Sequence, residues 1–395
     1  MARPLTCPYC YESMTARGIR FRCSSRTSRT QKRCERRRDP VLADRMGQRA
    51  EVGPEFAADG RKRSAVCPDC DGETTFRICP VCHMTLPVEF GMVDSRLIAM
   101  VGAKATGKTV YMTVLLHEMM NRVGASFNAS MLAADDLTMM RFVSEYQDHL
   151  YRDGRMFAGT RTAVANDNRI DPLVFRFGVR RRGLLGDRPQ HIVLSFFDTA
   201  GEDFNSRDNM EVNTRYLAHA DGIILLLDPL QMPGARQWAA PGTALPGTEG
   251  VDSPLNVLGR VTNMLHAQHR GRRSGKVRTP LAVVFSKMDA FWHLLDKGSP
   301  LRDHPPLGGR FDVPDSLDVH DEVRHLLKDW DGMAIDRILE NNFARHRYFG
   351  VSALGRGPTP EARVAPTGIQ PYRVADPLLW LLSETGAVPR TGRER

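Results

Sequence analysis

Apolar residues in this 395-residue chain fall into short uninterrupted runs rather than one long periodic stripe. Arg96–Val101, Gly222–Asp228 and Leu281–Phe285 are such runs, and each is bounded by turn or polar residues. Runs of this length predict strands buried on both faces of a parallel sheet. Residues 172–182 alternate apolar and polar, and residues 190–197 form a second strand, so a hairpin closes through Gly183–Pro189. Arg347–Val351 reads as a further short strand. Helical spacing covers 110–120, which has no Gly or Pro, and then 255–269, 319–327, 333–341 and 377–384. Further helical pattern runs from Met131 to Tyr151, with Met139 and Met140 expected in the core. Strands alternating with helices predict an α/β fold, a mostly parallel sheet flanked by helices. No stretch approaches the ~18 uncharged apolar residues of a membrane span. The N-terminus lacks the apolar segment of a signal peptide, which points to a cytoplasmic protein.

Chemistry enters where the first strand ends. Gly102-Ala103-Lys104-Ala105-Thr106-Gly107-Lys108-Thr109 fits the phosphate-cradling pattern G-x-x-x-x-G-K-[ST] at every fixed position. A strand before it and a helix from Val110 after it aim backbone N–H groups and a helix N-terminus at one point, which suits phosphate. Lys108 is expected to reach the β- and γ-phosphates, and the Thr109 hydroxyl to hold Mg²⁺. Gly102, Ala105, Thr106, Gly107 and Val110 complete the expected cradle. Lys104 faces solvent or leans toward a γ-phosphate, and solvent is favoured.

Four later segments refine the ligand. The 190–197 strand ends in Asp198-Thr199-Ala200-Gly201-Glu202, a D-x-x-G in which Asp198 serves Mg²⁺ and the Gly201 N–H meets the γ-phosphate. Release of such a loop on phosphate loss is a switching device. Ser286-Lys287-Met288-Asp289 follows the 281–285 strand. It resembles the [N/T]-K-x-D base-reading loop of GTPases, which implies that Asp289 accepts two hydrogen bonds from guanine and that adenine would leave it unpaired. The Lys287 stem lies along the base. Ser352-Ala353-Leu354 follows the last short strand and resembles the S-A-[KL] loop whose backbone N–H meets guanine O6. A threonine touching the γ-phosphate is expected between the first helix and residue 172, with Thr160 and Thr162 equal candidates around Arg161.

Cysteine and charge are confined to the N-terminus. All eight cysteines lie between positions 7 and 82, in a chain expected to stay reduced. Cys67-x-x-Cys70 and Cys79-x-x-Cys82 read as two knuckles of one tetrahedral sulfur site, with His83 a bystander. Cys7, Cys10, Cys23 and Cys34 read as a second, looser one. Two structural Zn²⁺ follow. Residues 1–66 hold 16 Lys/Arg against 7 Asp/Glu, which accounts for the whole net charge of +9. The resulting organisation is a basic zinc-binding segment (1–40), a charged linker (41–66), a zinc ribbon (67–90) and a nucleotide domain (92–388). That domain carries insertions near 121–170 and 229–278, the latter rich in proline. The basic segment is a candidate surface for nucleic acid.

Taken in order, GAKATGKT, DTAGE, SKMD and SAL resemble the motifs of Ras-like and translation-factor-like P-loop GTPases over roughly residues 92–388. With the cysteine knuckles ahead of them, the chain is similar to the bacterial double-GTPase (DO-GTPase) group. The resemblance implies a Ras-like G domain and a switch that hydrolyses GTP to GDP. It implies a role in bacterial conflict, stress or signalling systems, with a protein effector, often a second GTPase. Catalysis would rest on Lys108, Gly201 and Glu202. Two departures matter. Ser286 replaces the usual Asn or Thr, and Glu202 stands where relatives carry a water-orienting Gln, so intrinsic turnover is expected to be slow. Two other readings remain: a P-loop ATPase or nucleotide kinase, and a nucleic-acid-binding zinc adaptor with a structural nucleotide site.

Overall fold

The computed structural model describes residues 5–157, 172–183, 186–198, 216–247, 252–268, 275–304 and 308–392. Among these, seven strands make the central sheet: β1 (Asp94–Gly102), β2 (Ala129–Ala133), β3 (Leu173–Gly183), β4 (Gly186–Asp198), β5 (Gly222–Leu227), β6 (Leu281–Phe285) and β7 (His346–Gly350). Their order is β2-β3-β4-β1-β5-β6-β7. The five strands from β4 to β7 in that order run parallel, whereas β3 is antiparallel to both its neighbours, β2 and β4.

Side chains alternate across the strands, so the continuous apolar runs feed two cores. Leu97, Ile223 and Val283 face one side, where helices α2 (Pro254–Gln268) and α3 (Val313–Asp329) cover them with Val257, Val261 and Val323. Ile98, Ile224 and Val284 face the other, under α1 (Lys108–Met120) and α5 (Asp376–Glu384), which contribute Leu115 and Leu378. Helix α4 (Met333–Asn342) packs beside α2 and α3. Every parallel strand thus points its C-terminal end at one rim of the sheet, the side on which α/β sheets bind ligands.

The helical pattern from Met131 resolves differently. Ala129–Ala133 is the edge strand β2, paired with β3, and helical turns occupy 136–152. Met139 and Met140, expected in the core, are 46% and 66% exposed. The helix they lie on, Asp136–Arg141, buries only Thr138, because it sits at the sheet's outer edge.

The N-terminal residues form a folded module packed on the sheet. Four of its short strands, Thr85–Leu86, Arg77–Ile78, Arg20–Arg22 and Glu55–Phe56, form one sheet in that order and interleave residues from both ends of the segment. The expected linker, 41–66, belongs to this module. Asp39 caps the helix Pro40–Met46, which buries Leu42 and Met46. Phe56 stacks on Phe21. A Cβ at Gly53 would come within 2.1 Å of the Cys23 carbonyl oxygen, so the segment is fitted closely. The module's core continues onto Val174 of β3 and Val193 of β4. Glu89 and Arg176 close the seam at 2.6 Å.

Candidate nucleotide site

The loop from Gly102 to Lys108 leaves β1 and enters α1 through two left-handed residues, Ala105 (φ 63°) and Gly107 (φ 84°). Gly102 has no room for a side chain: a Cβ would lie 2.7 Å from the Leu226 carbonyl oxygen and 2.9 Å from the Thr106 hydroxyl. Thr106 is buried and donates its hydroxyl to the Ala103 carbonyl at 2.9 Å. Lys108 Nζ curls back onto the Gly102 and Ala103 carbonyls at 2.9 and 3.3 Å. Its ammonium is thus held inside the curve of the loop, where a phosphate's charge would be met. Thr109 and Val110 open the first turn of α1, which has no side-chain cap. A helix N-terminus left without a side-chain cap suits an anion. Lys104 is exposed, and its carbonyl accepts the Gln231 side-chain amide at 2.9 Å.

The base-loop residues are brought onto this cradle. The buried Ser286 hydroxyl donates to the Thr106 carbonyl at 3.0 Å. Lys287, itself left-handed at φ 56°, places Nζ 2.9 Å from the Ala105 carbonyl and 2.6 Å from Asp228 Oδ2. Asp289 accepts the Ser352 hydroxyl at 2.6 Å, and Ser352 accepts the Gly355 N–H at 2.9 Å. Burial pushes the Asp289 carboxyl upward, and the Ser352 hydrogen bond opposes that shift. Ala353 and Leu354 are half-buried against the α1–α5 core. The three loops therefore share one rim of the sheet. Asp198 ends β4 opposite Met100, at the same rim. Thr160, Thr162, Gly201 and Glu202 lie outside the described residues.

Sequence reasoning missed Asp228, Gln231 and Tyr372. Asp228 is wholly buried and also accepts the Leu230 N–H at 2.9 Å. Tyr372 pairs its backbone with Ser352 in both directions and so fixes the Asp289 partner. The available signal for Asp228 was an acid closing the apolar run Gly222–Leu227. Nothing in the sequence marked the other two.

The eight cysteines form two clusters, but their membership corrects the grouping by sequence. Cys7 and Cys10 join Cys79 and Cys82, while Cys23 and Cys34 join Cys67 and Cys70. The sulfurs of each set lie within 4.8 Å of one another. Each cluster takes half its ligands from either end of the module, because the strand at 20–22 sits between those at 77–78 and 55–56. Backbone N–H groups of Tyr9, Ser25 and Val81 point at Cys7, Cys23 and Cys79 sulfurs at 3.3–3.4 Å. Burial pushes the Cys7 thiol well upward. Four sulfurs at tetrahedral spacing, with donors aimed at them, fit a thiolate-bound Zn²⁺ that supplies the missing positive charge. His83 is not among them. Its Nδ1 lies 2.8 Å from Asp39, which also holds Arg22 at 2.9 Å.

Residues 96–331 match the Double-GTPase 2 family. This chain belongs to that family. As a Double-GTPase 2 protein it is a GTP-binding protein with a P-loop α/β fold. It is 30% identical over 408 aligned positions to a protein of Mycolicibacterium smegmatis, the "Putative ESX-1 scaffolding and assembly protein SaeC", covering 97% of this chain and 99% of that one. Likeness to solved GTPases is distant. The bacterial selenocysteine-specific elongation factor EF-Sec shares 14% identity with a TM-score of 0.28, over 74% of this chain and 29% of that one. Era of Aquifex aeolicus shares 12% with a TM-score of 0.27, over 76% and 59%. The chain thus spans less than two thirds of either structure. No described helix of this Double-GTPase 2 protein is long and apolar enough to cross a membrane.

Proposed function

We propose that this Double-GTPase 2 protein is a guanine-nucleotide switch that hydrolyses GTP to GDP in the cytoplasm. It acts in the scaffolding or assembly of a larger machine through a zinc-bound N-terminal module. The observation that supports it best is the fastening of base loop to phosphate loop. Ser286 and Lys287 hold the carbonyls of Thr106 and Ala105, while Ser352 orients Asp289. A loop so tied presents its carboxylate at a fixed distance from the phosphates.

In this reading Gly102, Ala105, Gly107 and Val110 shape the cradle, and Lys108 takes the β- and γ-phosphates. Thr109 and Asp198 hold Mg²⁺, which supplies charge neutralisation on the phosphates. Lys287, Asp289, Ala353 and Leu354 receive guanine. Gly201 senses the γ-phosphate, with Thr160 or Thr162 as its counterpart. Glu202 orients water less effectively than a glutamine amide, so intrinsic turnover is slow and a partner raises it. The partner is a protein effector, with a second GTPase one form of it. A relative named for ESX-1 scaffolding and assembly favours an assembly role over a conflict or stress role.

Competition between GTP and ATP for a fluorescent guanine nucleotide tests the reading. GTP displaces it and ATP does not; Lys108→Ala abolishes binding, and Asp289→Asn shifts preference toward XTP. Equal displacement by ATP, or an unchanged GTP/XTP ratio, refutes it.

A further inference from the structure

The face around Cys23, Cys34, Cys67 and Cys70 takes no part in nucleotide binding. Arg26, Arg29, Arg33, Arg36, Arg37 and Arg38 are all exposed there. Among the described residues, none of the six has an ion pair or side-chain hydrogen bond; the neighbouring Lys32 pairs with Asp71 at 3.9 Å. Their backbone is nonetheless anchored. Cys23 and Cys34 bracket the 26–33 loop in one cluster. The Thr30 hydroxyl donates to the Cys70 carbonyl at 3.4 Å, and the Ser28 N–H donates to the Lys32 carbonyl at 2.9 Å. Arg37 and Arg38 form a ribbon with Glu51 and Val52.

An aromatic ring lies on the same module. Phe76 is 47% exposed, although rings of this size are usually covered. The Arg22 N–H donates to the Phe76 carbonyl at 2.8 Å, one step beyond the Phe21–Arg77 pair, so Phe76 and Arg22 share a sheet face. The Arg22 guanidinium holds Asp39, the residue directly after Arg38. The geometry therefore combines unpaired guanidinium forks with an uncovered ring.

We infer that this face binds single-stranded nucleic acid, with the arginines on backbone phosphates and Phe76 stacked on a base. Guanidinium forks match phosphate oxygens in pairs, and all six cations are arginine. Stacking needs a base out of its duplex, which selects a single strand. The knuckle beside the loop also exposes Asp69 and Glu73. Glu35 within the basic run and Glu51 opposite Arg38 are exposed as well, so the patch is no uniform cationic plane for a flat anionic membrane, whereas a flexible single strand can set its phosphates on the arginines between these carboxylates. Clustering the whole net charge in residues 1–66 suits steering of such a polyanion.

The experiment uses the full metal-loaded chain and a labelled oligouridylate of about 20 nucleotides, titrated across salt concentrations. Six phosphate contacts predict a log–log salt slope of about −4. Replacing Arg36, Arg37 and Arg38 by Gln, or separately Arg26, Arg29 and Arg33, should bring the slope to about −2 and weaken binding at least tenfold. Phe76→Ala, an exposed change that leaves the arginines in place, should weaken binding roughly tenfold with the slope unchanged. Metal content and GTP affinity, read on the same samples, should stay constant and separate this proposal from the nucleotide switch. Absent or salt-insensitive binding overturns the proposal, as does equal competition by polyglutamate. Tighter capture by phosphatidylserine vesicles than by the oligonucleotide also overturns it.

Discussion

The rings of Tyr11 and Tyr216 meet with centroids 5.5 Å apart and planes inclined by 50°. Tyr11 closes the Cys7–Cys10 knuckle, its N–H on the Cys7 carbonyl at 3.0 Å, yet it is buried in the core of the nucleotide domain. The Tyr216 hydroxyl donates to the Ile98 carbonyl at 2.9 Å and accepts the Met100 N–H at 3.1 Å. A cysteine-cluster knuckle therefore touches the residue that pins the strand running into the phosphate loop.

Removing that hydroxyl should be felt at both ends. Tyr216→Phe leaves the Met100 N–H without the phenol oxygen and should cost about 1–3 kcal/mol, read as a lower melting temperature. GTP affinity should fall with it, because the β1 end positions Gly102. Tyr11→Ala should cost about 3 kcal/mol through the cavity it leaves and speed proteolytic cleavage between the module and β1. Wild-type melting and cleavage in both variants would show that the contact is idle.

Much of the nucleotide rim was readable because its signals are local. The runs in β1, β5 and β6 have no polar interruption, and both phosphate and base loops follow a strand end by chain connectivity alone. What failed depends on distant packing. Ala129–Ala133 has alanine, methionine and leucine that favour a helix, but pairing with β3 outweighs that propensity at the sheet edge. Cysteine spacing announces knuckles and is silent about which knuckle meets which. Lys287 and Asp289 could be placed on one loop from sequence, whereas Asp228 acquires its role only because β5 and β6 are neighbours in the sheet.

Asp228 should act through Lys287. The carboxylate is fully buried and the ammonium side chain 35% exposed. Lys287→Ala strands a buried charge and should cost about 3 kcal/mol. Adding Asp228→Ala to it should recover part of that loss, since the stranded charge is then gone. GTP affinity should stay low in both, because the link to the Ala105 carbonyl is absent in both. Chemical denaturation and nucleotide titration of the two variants give the comparison. Additive destabilisation would mean that the pair does not couple.

Acid should weaken the support of β7, the strand leading to Ser352. His320 Nδ1 accepts the Tyr348 N–H at 3.0 Å, which requires a neutral ring. Burial, reinforced by His346 and Arg347, pushes its pKa down from 6.5 to about 4, with Asp321 opposing and Arg324 assisting. The folded value is depressed, so the stabilisation is complete above 6.5 and is lost as pH falls toward 4. Between those limits the loss should approach about 3 kcal/mol. His320→Asn cannot titrate, so its melting temperature should fall less steeply over that window than the wild type's. Parallel curves would remove His320 as the cause.

The interleaved clusters make a prediction about metal stoichiometry that the sequence-ordered grouping contradicts. Intact protein should carry two Zn²⁺ per chain, one in each sulfur set. Cys7 and Cys23 lie in different clusters, so Cys7→Ser with Cys23→Ser damages both and should bring zinc toward zero. Cys7 and Cys82 share a cluster, so Cys7→Ser with Cys82→Ser should spare the second set and retain about one Zn²⁺. If ligands were grouped along the sequence, these two outcomes would exchange. Elemental analysis of the purified variants separates them. Folding and metal binding should be linked here, because segments this small bury little apolar surface of their own. Chelation should therefore unfold residues 5–90 and free Tyr11 from Tyr216, seen as lowered GTP affinity after metal removal and recovery on adding Zn²⁺ back. Unchanged affinity through that cycle would uncouple the module from the phosphate loop.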